Sequence, residues 1–190
     1  MASPDVALLS WLNGFAGHAP WLDAVMIACT TYSPMIVALV LVGCWVCWRP
    51  AWQRAAVVAT CAALLALGVG QLIGLALPRA RPFTVLPVTL LMAHAPDPSF
   101  PSDHATLAFA VTAVLVTVSR TLGAWLAVLS VLVMVSRVYL GVHYPTDVLG
   151  GAALGVLGAW VTLRLVRAPR VARAIDAAFS MLRRIRLAAP

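Results

Sequence analysis

Lysine and glutamate are both absent from this chain of 190 residues. Charged residues make up only 10% of the sequence and hydrophobic residues 63%, whereas a soluble domain is about a quarter charged and about half apolar. Too few polar side chains are available to cover a folded core, which excludes a water-soluble globular protein. The absence of lysine has a second consequence, because any motif that requires a lysine is incomplete here.

Arginine supplies all of the cationic side chains, thirteen against six aspartates, for a net charge of +7. A basic chain can bind nucleic acid, but these arginines lie between apolar runs or in the C-terminal tail. Such a distribution is typical of the positive charges that flank membrane segments on the cytoplasmic side. We therefore expect membrane lipids as partners, and no nucleic acid.

The four cysteines, Cys29, Cys44, Cys47 and Cys61, all lie in apolar stretches. Cys44 and Cys47 form a C-x-x-C pair, which in a soluble fold can indicate a redox or metal site. Here the pair belongs to an apolar run that ends at Trp48. We therefore expect these cysteines to pack as small apolar residues.

Five apolar segments are long enough to span a bilayer, which takes about 17 to 25 helical residues. They cover approximately residues 32–48, 55–77, 104–119, 122–139 and 146–166. A further apolar stretch, 6–28, is interrupted by glycine, proline and polar residues. We expect it to lie in the interface or to be re-entrant, with a sixth span as the alternative. The expected fold is an all-α, polytopic membrane bundle of five or six transmembrane helices.

The fifth span carries a stripe of small residues that favours close approach of a neighbouring helix. The stripe consists of Gly150, Gly151, Gly155 and Gly158. Beyond this span the chain continues into an arginine-rich stretch. We predict a membrane domain over residues 1–168 and a basic amphipathic tail over residues 169–190.

The arginines also predict the orientation of the bundle. Counting spans places ten of the thirteen on one side of the membrane, and we expect that side, with the C-terminal tail, to be cytoplasmic. The loops 78–103 and 137–147 then face the exterior. Polar and ionisable residues placed against a membrane by helix ends are candidates for a functional site.

Three polar clusters meet on the exterior face. They contain Arg79 and Arg81, then Ser102, Asp103 and His104, and finally Arg137, His143 and Asp147, while His94 and Asp97 lie on the same face. Guanidinium groups match phosphate oxygens, and a helix N-terminus also favours an anion. Two imidazoles can divide the work of phosphoryl transfer, one attacking phosphorus and the other protonating the leaving oxygen. Asp147, four residues after His143, is placed to orient the attacking ring.

Other uses of these polar residues give weaker interpretations. Three histidines and three aspartates on one face can bind zinc, but arginines in the same cluster oppose a cation, so we expect no metal and no other cofactor. Merely interfacial polar residues would not be expected to gather in three clusters on one face. A small transporter also carries intramembrane charges, but here they cluster at one face and no inverted repeat is visible.

The clusters resemble the type 2 phosphatidic acid phosphatase superfamily, whose pattern is K-x6-R-P, P-S-G-H and S-R-x5-H-x3-D. The third part is complete, with Ser136, Arg137, His143 and Asp147, while the second reads Pro101-Ser102-Asp103-His104 and the first survives as Arg81-Pro82. The resemblance covers residues 71–151. It implies a metal-free reaction in which His143 forms a phosphohistidine, Asp147 supports it and His104 is the general acid. It further implies that Arg81, Arg137 and Ser102 hold the phosphate.

Two positions depart from that pattern. Gly74 stands where the family has lysine, so one phosphate contact is missing or is replaced by Arg79. Asp103 stands where the family has glycine, and we expect it to tune His104 or to bind a protonated phosphate.

The phrases SFPSDHAT and R-x-R-P-F resemble the bacterial undecaprenyl-diphosphate phosphatases of the bacitracin-resistance type. This resemblance implies hydrolysis of undecaprenyl diphosphate, a lipid diphosphate, at the outer face of the bacterial cytoplasmic membrane. A phosphatidylglycerophosphate or phosphatidic acid phosphatase and a lipid phosphotransferase are the alternatives.

Overall fold

The computed structural model describes residues 3–187, with side chains for residues 3–181. These residues form helices and connecting loops, and no strand occurs within that range. The helices are α1 (Pro4–Asn13), α2 (Pro20–Val46), α3 (Pro50–Ala76), α4 (Pro82–Val85), α5 (Asp103–Leu115), α6 (Arg120–Tyr139), α7 (Pro145–Arg167) and α8 (Pro169–Leu187). The expectation of an all-α membrane bundle is confirmed.

Four helices of the described chain, α2, α3, α6 and α7, are long and apolar enough to cross a membrane. The first of them begins at Pro20 rather than near residue 32, because the stretch 6–28 is divided between two helices. Its first part is the short helix α1, which ends at Asn13 before a turn. Its second part is the start of α2, where Asp23 accepts hydrogen bonds from Gly17 N and the Tyr139 hydroxyl. Residues 6–28 therefore do not form one separate span.

The third predicted span corresponds to α5, which has only 13 residues and ends at Leu115 rather than at residue 119. At 1.5 Å per residue it is about 20 Å long, shorter than the roughly 30 Å of a bilayer's hydrocarbon core. Eight of its residues are buried, and it packs against α3, α6 and α7. Because protein rather than lipid surrounds α5, bilayer thickness does not set its length.

Glycine lets α7 approach α5 and α3 closely. A Cβ atom at Gly155 would lie 2.8 Å from the backbone nitrogen of Ala110, and one at Gly158 would lie 2.8 Å from Ala66 Cβ. Neither position has room for a side chain. The predicted small-residue stripe is confirmed as the contact face of α7.

Small side chains form the interior of the bundle, and large apolar ones face outward. The core face of α3 is built from alanine, with Ala59 and Ala62 fully buried. Trp21 and Leu75 are examples of the outer surface, being 71% and 76% exposed. Such an arrangement is stable only where the surrounding solvent is itself apolar, so the chain is an integral membrane protein.

The two ends of the bundle are closed by different segments. At one end the Asn13 side chain donates to the carbonyls of Thr89 and Tyr139, which ties α1 to the long loop and to the end of α6. At the other end α8 lies against the bundle through an ion pair of 2.9 Å between Arg54 and Asp176. Helix α8 begins at Pro169, but its role as a separate cytoplasmic tail stays a prediction.

Candidate active site

Helix ends and the loop between α4 and α5 enclose a cavity of about 180 Å³ at the α1 end of the bundle. Its polar lining residues are Gln71, Arg81, His94, Asp97, Asp103, His104, Arg137 and His143. The remaining lining comes from α3 and the loop, with Gly70, Gly74, Leu75, Pro98, Phe100 and Pro101. Five of the eight predicted site residues therefore line one cavity, and Arg79, Ser102 and Asp147 do not.

His143 lies in the short turn between α6 and α7. The turn is sharp because Gly141 adopts a left-handed conformation with a φ of 70° directly after α6, which costs glycine little. The ring of His143 is almost fully buried, with Nε2 3.0 Å from Nη1 of Arg81. Since a guanidinium can only donate, Nε2 must be the acceptor, and the neutral ring carries its hydrogen on Nδ1. The unprotonated nitrogen is therefore the one beside Arg81.

The surroundings of His143 keep the ring neutral. Burial lowers its pKa to about 4, and the positive charges of Arg137 and Arg81 act in the same direction. The carboxylate of Asp147 opposes them but does not reverse the shift. At neutral pH the ring is unprotonated and can act as a nucleophile.

Asp147 lies in the first turn of α7, immediately behind His143. Its Oδ2 accepts hydrogen bonds from the Tyr144 backbone N–H, at 2.9 Å, and from the Ser99 hydroxyl. The same oxygen is 3.6 Å from Nδ1 of His143, and Oδ1 accepts from Arg79 at 2.6 Å. The carboxylate is fully buried, so these donors fix its orientation toward the protonated nitrogen of the ring.

Two guanidinium groups, those of Arg81 and Arg137, enter the cavity. Arg81 is held by the carboxylate of Asp97, at 2.9 Å, and Nη2 of Arg137 donates to Nε2 of His94 at 2.8 Å. Burial and the neighbouring arginine charges hold the pKa of His94 below its ordinary value, so this ring accepts in its neutral form. The Nε of Arg137 is buried without a hydrogen-bond partner among the described residues. A guanidinium with an unused donor beside this cavity favours an oxyanion as its ligand.

The start of α5 contributes the remaining predicted residues. The ring of His104 lines the cavity, and Asp103 accepts a hydrogen bond of 2.9 Å from Nε2 of Gln71. Ser102 is fully buried outside the cavity lining, and its backbone N–H donates to the Asp147 carbonyl at 3.1 Å. That amide joins α5 to α7 and is not available to a ligand in this conformation.

Comparison with known proteins identifies the family. A sequence profile of the PAP2 superfamily matches residues 55–170, more than half of the chain. The chain belongs to the PAP2 superfamily. Undecaprenyl-diphosphatase BcrC of Bacillus subtilis (strain 168) is 32% identical over 146 residues, which are 77% of this chain and 76% of that protein.

Two solved structures have a similar fold. Aquifex aeolicus LpxE has a TM-score of 0.74 at 23% identity, over 86% of this chain and 96% of that one. A transmembrane PAP2 type phosphatidylglycerolphosphate phosphatase from Bacillus subtilis has a TM-score of 0.60 at 26% identity, over 86% and 87% of the two chains. The predicted family and helical architecture are confirmed, and the chain is a membrane PAP2 phosphatase.

The incomplete first PAP2 motif has a structural explanation at Gly74. A Cβ atom there would lie 3.3 Å from the carbonyl oxygen of Phe100, closer than most side chains allow. A side chain at this position would require the loop backbone at Phe100 to move by a few tenths of an ångström, and glycine fits without that shift. Arg79 does not take that place, because its guanidinium pairs with Asp5 at 2.5 Å and with Asp147.

Four residues of the site belong to no motif: Ser99 and Gln71 were missed in the sequence, and His94 and Asp97 were placed on the exterior face without a role. Ser99 lies within the phrase SFPSDHAT, which is the only signal that could have found it. His94 and Asp97 interrupt a proline-rich loop without regular spacing, and Gln71 is a single amide in an apolar helix. Within the described residues, no three His, Cys, Asp or Glu side chains are arranged to hold a metal ion.

Proposed function

We propose that this PAP2 phosphatase hydrolyses undecaprenyl diphosphate to undecaprenyl phosphate and inorganic phosphate through a phosphohistidine at His143. The observation that carries the proposal is the buried, neutral ring of His143 beside the guanidinium groups of Arg81 and Arg137. The relation to an undecaprenyl-diphosphatase of Bacillus subtilis supports the choice of lipid.

In the first step the terminal phosphate binds between Arg81 and Arg137, whose charges offset the charge on its equatorial oxygens. Nε2 of His143 attacks phosphorus, and the bond from phosphorus to the bridging oxygen breaks. His104, in the imidazolium form once the phosphate is bound beside it, gives its proton to that leaving oxygen, so undecaprenyl phosphate departs and the ring becomes neutral. Asp147 stabilises the positive charge that forms on the ring of His143.

In the second step a water molecule gives a proton to His104 and attacks the phosphorus bound to His143. The P–N bond breaks, inorganic phosphate is released and both imidazoles return to their starting states. Asp103, held by Gln71 at the rim of the cavity, accepts a hydrogen bond from a protonated phosphate oxygen. Every catalytic group in the two steps is a side chain of this protein, as the resemblance to the PAP2 superfamily implies.

The test is a phosphate-release assay on the purified protein in detergent, with a chelator present. Undecaprenyl diphosphate, phosphatidylglycerophosphate and phosphatidic acid are compared at matched concentrations. We expect the highest kcat/KM on undecaprenyl diphosphate and loss of release to background for His143→Ala. His18→Ala is the matched control, because His18 lies in the turn after α1 and its ring is hydrogen-bonded to the carbonyl of Ala16, away from the cavity lining.

Each alternative has its own outcome in this assay. Retained activity in a folded His143→Ala protein would refute the nucleophile, and activity lost with chelator would indicate a metal. Preference for phosphatidylglycerophosphate would favour the glycerolipid function, which the similar fold of the Bacillus subtilis enzyme named for that lipid supports. Labelled phosphate appearing on a second lipid instead of in water would indicate a phosphotransferase.

We further propose that the cavity faces the exterior of a bacterial cytoplasmic membrane and that the C-terminus is cytoplasmic. The excess of arginine in the connections opposite the cavity supports this orientation. In the structure α8 contacts the end of the bundle that lies away from the cavity.

A further inference from the structure

Arg79 lies outside the cavity and joins two carboxylates that are far apart in the sequence. Its Nη2 is 2.5 Å from Oδ2 of Asp5, in the first turn of α1, and its Nη1 is 2.6 Å from Oδ1 of Asp147. The planar group also stacks on the ring of Tyr144, with Cζ 3.9 Å from the ring centroid. With both edges of its fork occupied by carboxylates, this arginine is placed to hold protein groups.

Asp5 is also bound directly to the start of α7. Its Oδ1 accepts the backbone N–H of Thr146 at 2.9 Å, and its Oδ2 accepts the Thr146 hydroxyl at 2.7 Å. The first N–H groups of a helix have no partner within the helix, so a carboxylate is favourable there. Because one carboxylate bonds both α7 and Arg79, α1 fixes the guanidinium against the turn that carries Asp147.

The contact reaches His143 through Asp147. One oxygen of that buried carboxylate is held by Arg79, which leaves Oδ2 directed toward Nδ1 of His143. Asp5 keeps Arg79 in that position, because its carboxylate binds the second Nη of the same guanidinium. Without Asp5 the guanidinium would be free to turn away from Asp147, and Oδ1 would lose the donor that orients the carboxylate.

We infer that Asp5, acting through Arg79, is a positioning residue that orients Asp147 behind His143. The inference rests on the proposed function, since it concerns the same phosphoryl transfer. The inference assigns helix α1 a role in catalysis, and it makes Arg79 a residue that supports the nucleophile. Asp5 and Arg79 do not line the cavity, so substrate binding is independent of them.

The test measures kcat and KM separately for Asp5→Asn and Asp5→Glu, with undecaprenyl diphosphate as the substrate. We expect Asp5→Asn to lower kcat by about tenfold with KM within about twofold, the signature of an interaction that acts on the reaction and not on binding. Asp5→Glu, which keeps the charge, recovers most of the loss. Asp176→Asn removes an ion pair at the opposite end of the bundle and is expected to leave both constants unchanged.

A double-mutant cycle shows whether Asp5 acts through Arg79. Arg79→Gln alone lowers kcat at least as much as Asp5→Asn, and Asp5→Asn adds no further loss in the Arg79→Gln background. Should Asp5→Asn not fold, Thr146→Val takes its place, because it keeps every charge and removes the hydroxyl that is hydrogen-bonded to both Asp5 and Arg79. It is expected to lower kcat by about threefold, again without a change in KM.

Three outcomes overturn the inference while the proposed function stands. They are a folded Asp5→Asn or Thr146→Val protein with wild-type kcat, a change confined to KM, and additive losses in the cycle. A wild-type protein that releases no phosphate from undecaprenyl diphosphate refutes the proposed function, and the inference that rests on it fails with it. Wild-type turnover therefore separates the two failures.

Discussion

Replacing Ser99 with alanine tests how strongly catalysis depends on the hydrogen bonds around Asp147. Ser99 is fully buried in the loop before α5, and its hydroxyl donates to Oδ2 of Asp147. The same hydroxyl is 3.5 Å from Nδ1 of His143. Alanine at this position removes the hydroxyl donor and leaves the other side chains of the loop unchanged.

The expected fall in kcat follows from the hydrogen bonds that Asp147 loses and keeps. A hydrogen bond to a charged group contributes about 1.5–3 kcal/mol, and Oδ2 of Asp147 keeps one other protein donor, the backbone N–H of Tyr144. If about half of that energy serves to keep the carboxylate directed at His143 in the transition state, about 0.75–1.5 kcal/mol is lost. That loss corresponds to roughly a four- to twelvefold fall in kcat.

The assay combines phosphate release with thermal unfolding in detergent, and Ser130→Ala is the matched control. Ser130 is another buried serine. Its hydroxyl donates to the carbonyl of Leu126 at 2.7 Å and lies 3.0 Å from the hydroxyl of Thr112. We expect both substitutions to lower Tm but only Ser99→Ala to lower kcat. Ser99→Thr, which keeps the hydroxyl, tests whether the donor itself is responsible.

Two results would refute this reasoning. A Ser99→Ala protein with wild-type kcat would show that Asp147 does not need the serine. An equal loss of kcat in Ser130→Ala would show that activity depends on packing throughout the bundle and not on the hydrogen bonds around Asp147.

Two further predictions concern pH and orientation. Because burial and nearby arginines lower the pKa of His143 to about 4, the attacking neutral ring is lost only as the pH falls through that value. The acidic limb of kcat/KM should lie near pH 4, and a limb near the ordinary histidine value of 6.5 would contradict the account. A fluorescent protein fused after Pro190 should fluoresce in cells, while a periplasm-dependent alkaline phosphatase fused there should be inactive; the reverse pair of results would overturn the orientation.

The sequence predicted those parts of the fold whose signal is local. The predicted spans 122–139 and 146–166 match α6 and α7 within two residues at each end, because charge and proline mark where they begin. The start of α2 was not predictable in this way. Its first turn contains Asp23, which looks unfavourable in an apolar helix until its partners, Gly17 N and the Tyr139 hydroxyl, are known.

The candidate site was likewise predictable where its signal is local and not where it depends on tertiary contacts. His143 and Asp147 are four residues apart at the start of a helix, so their proximity can be predicted from spacing alone. Arg79 pairs with Asp5, 74 residues away, and no periodicity connects them. A phosphate-binding role was expected for Arg79 as a replacement for the lysine that the family has at the position of Gly74. Only the tertiary arrangement shows that the two guanidinium groups serve different partners.

The two sides of α7 differ in the substitutions they can accept, because one side is a face of glycine residues. On the side toward α5 and α3, positions such as Gly155 accept nothing larger than a hydrogen atom. On the opposite side Leu149, Leu157 and Trp160 are each more than half exposed to the surrounding lipid. Substitutions that adapt the protein to a thicker, thinner or more fluid membrane can accumulate on that outer side, while the inner side keeps His143 and His104 in register.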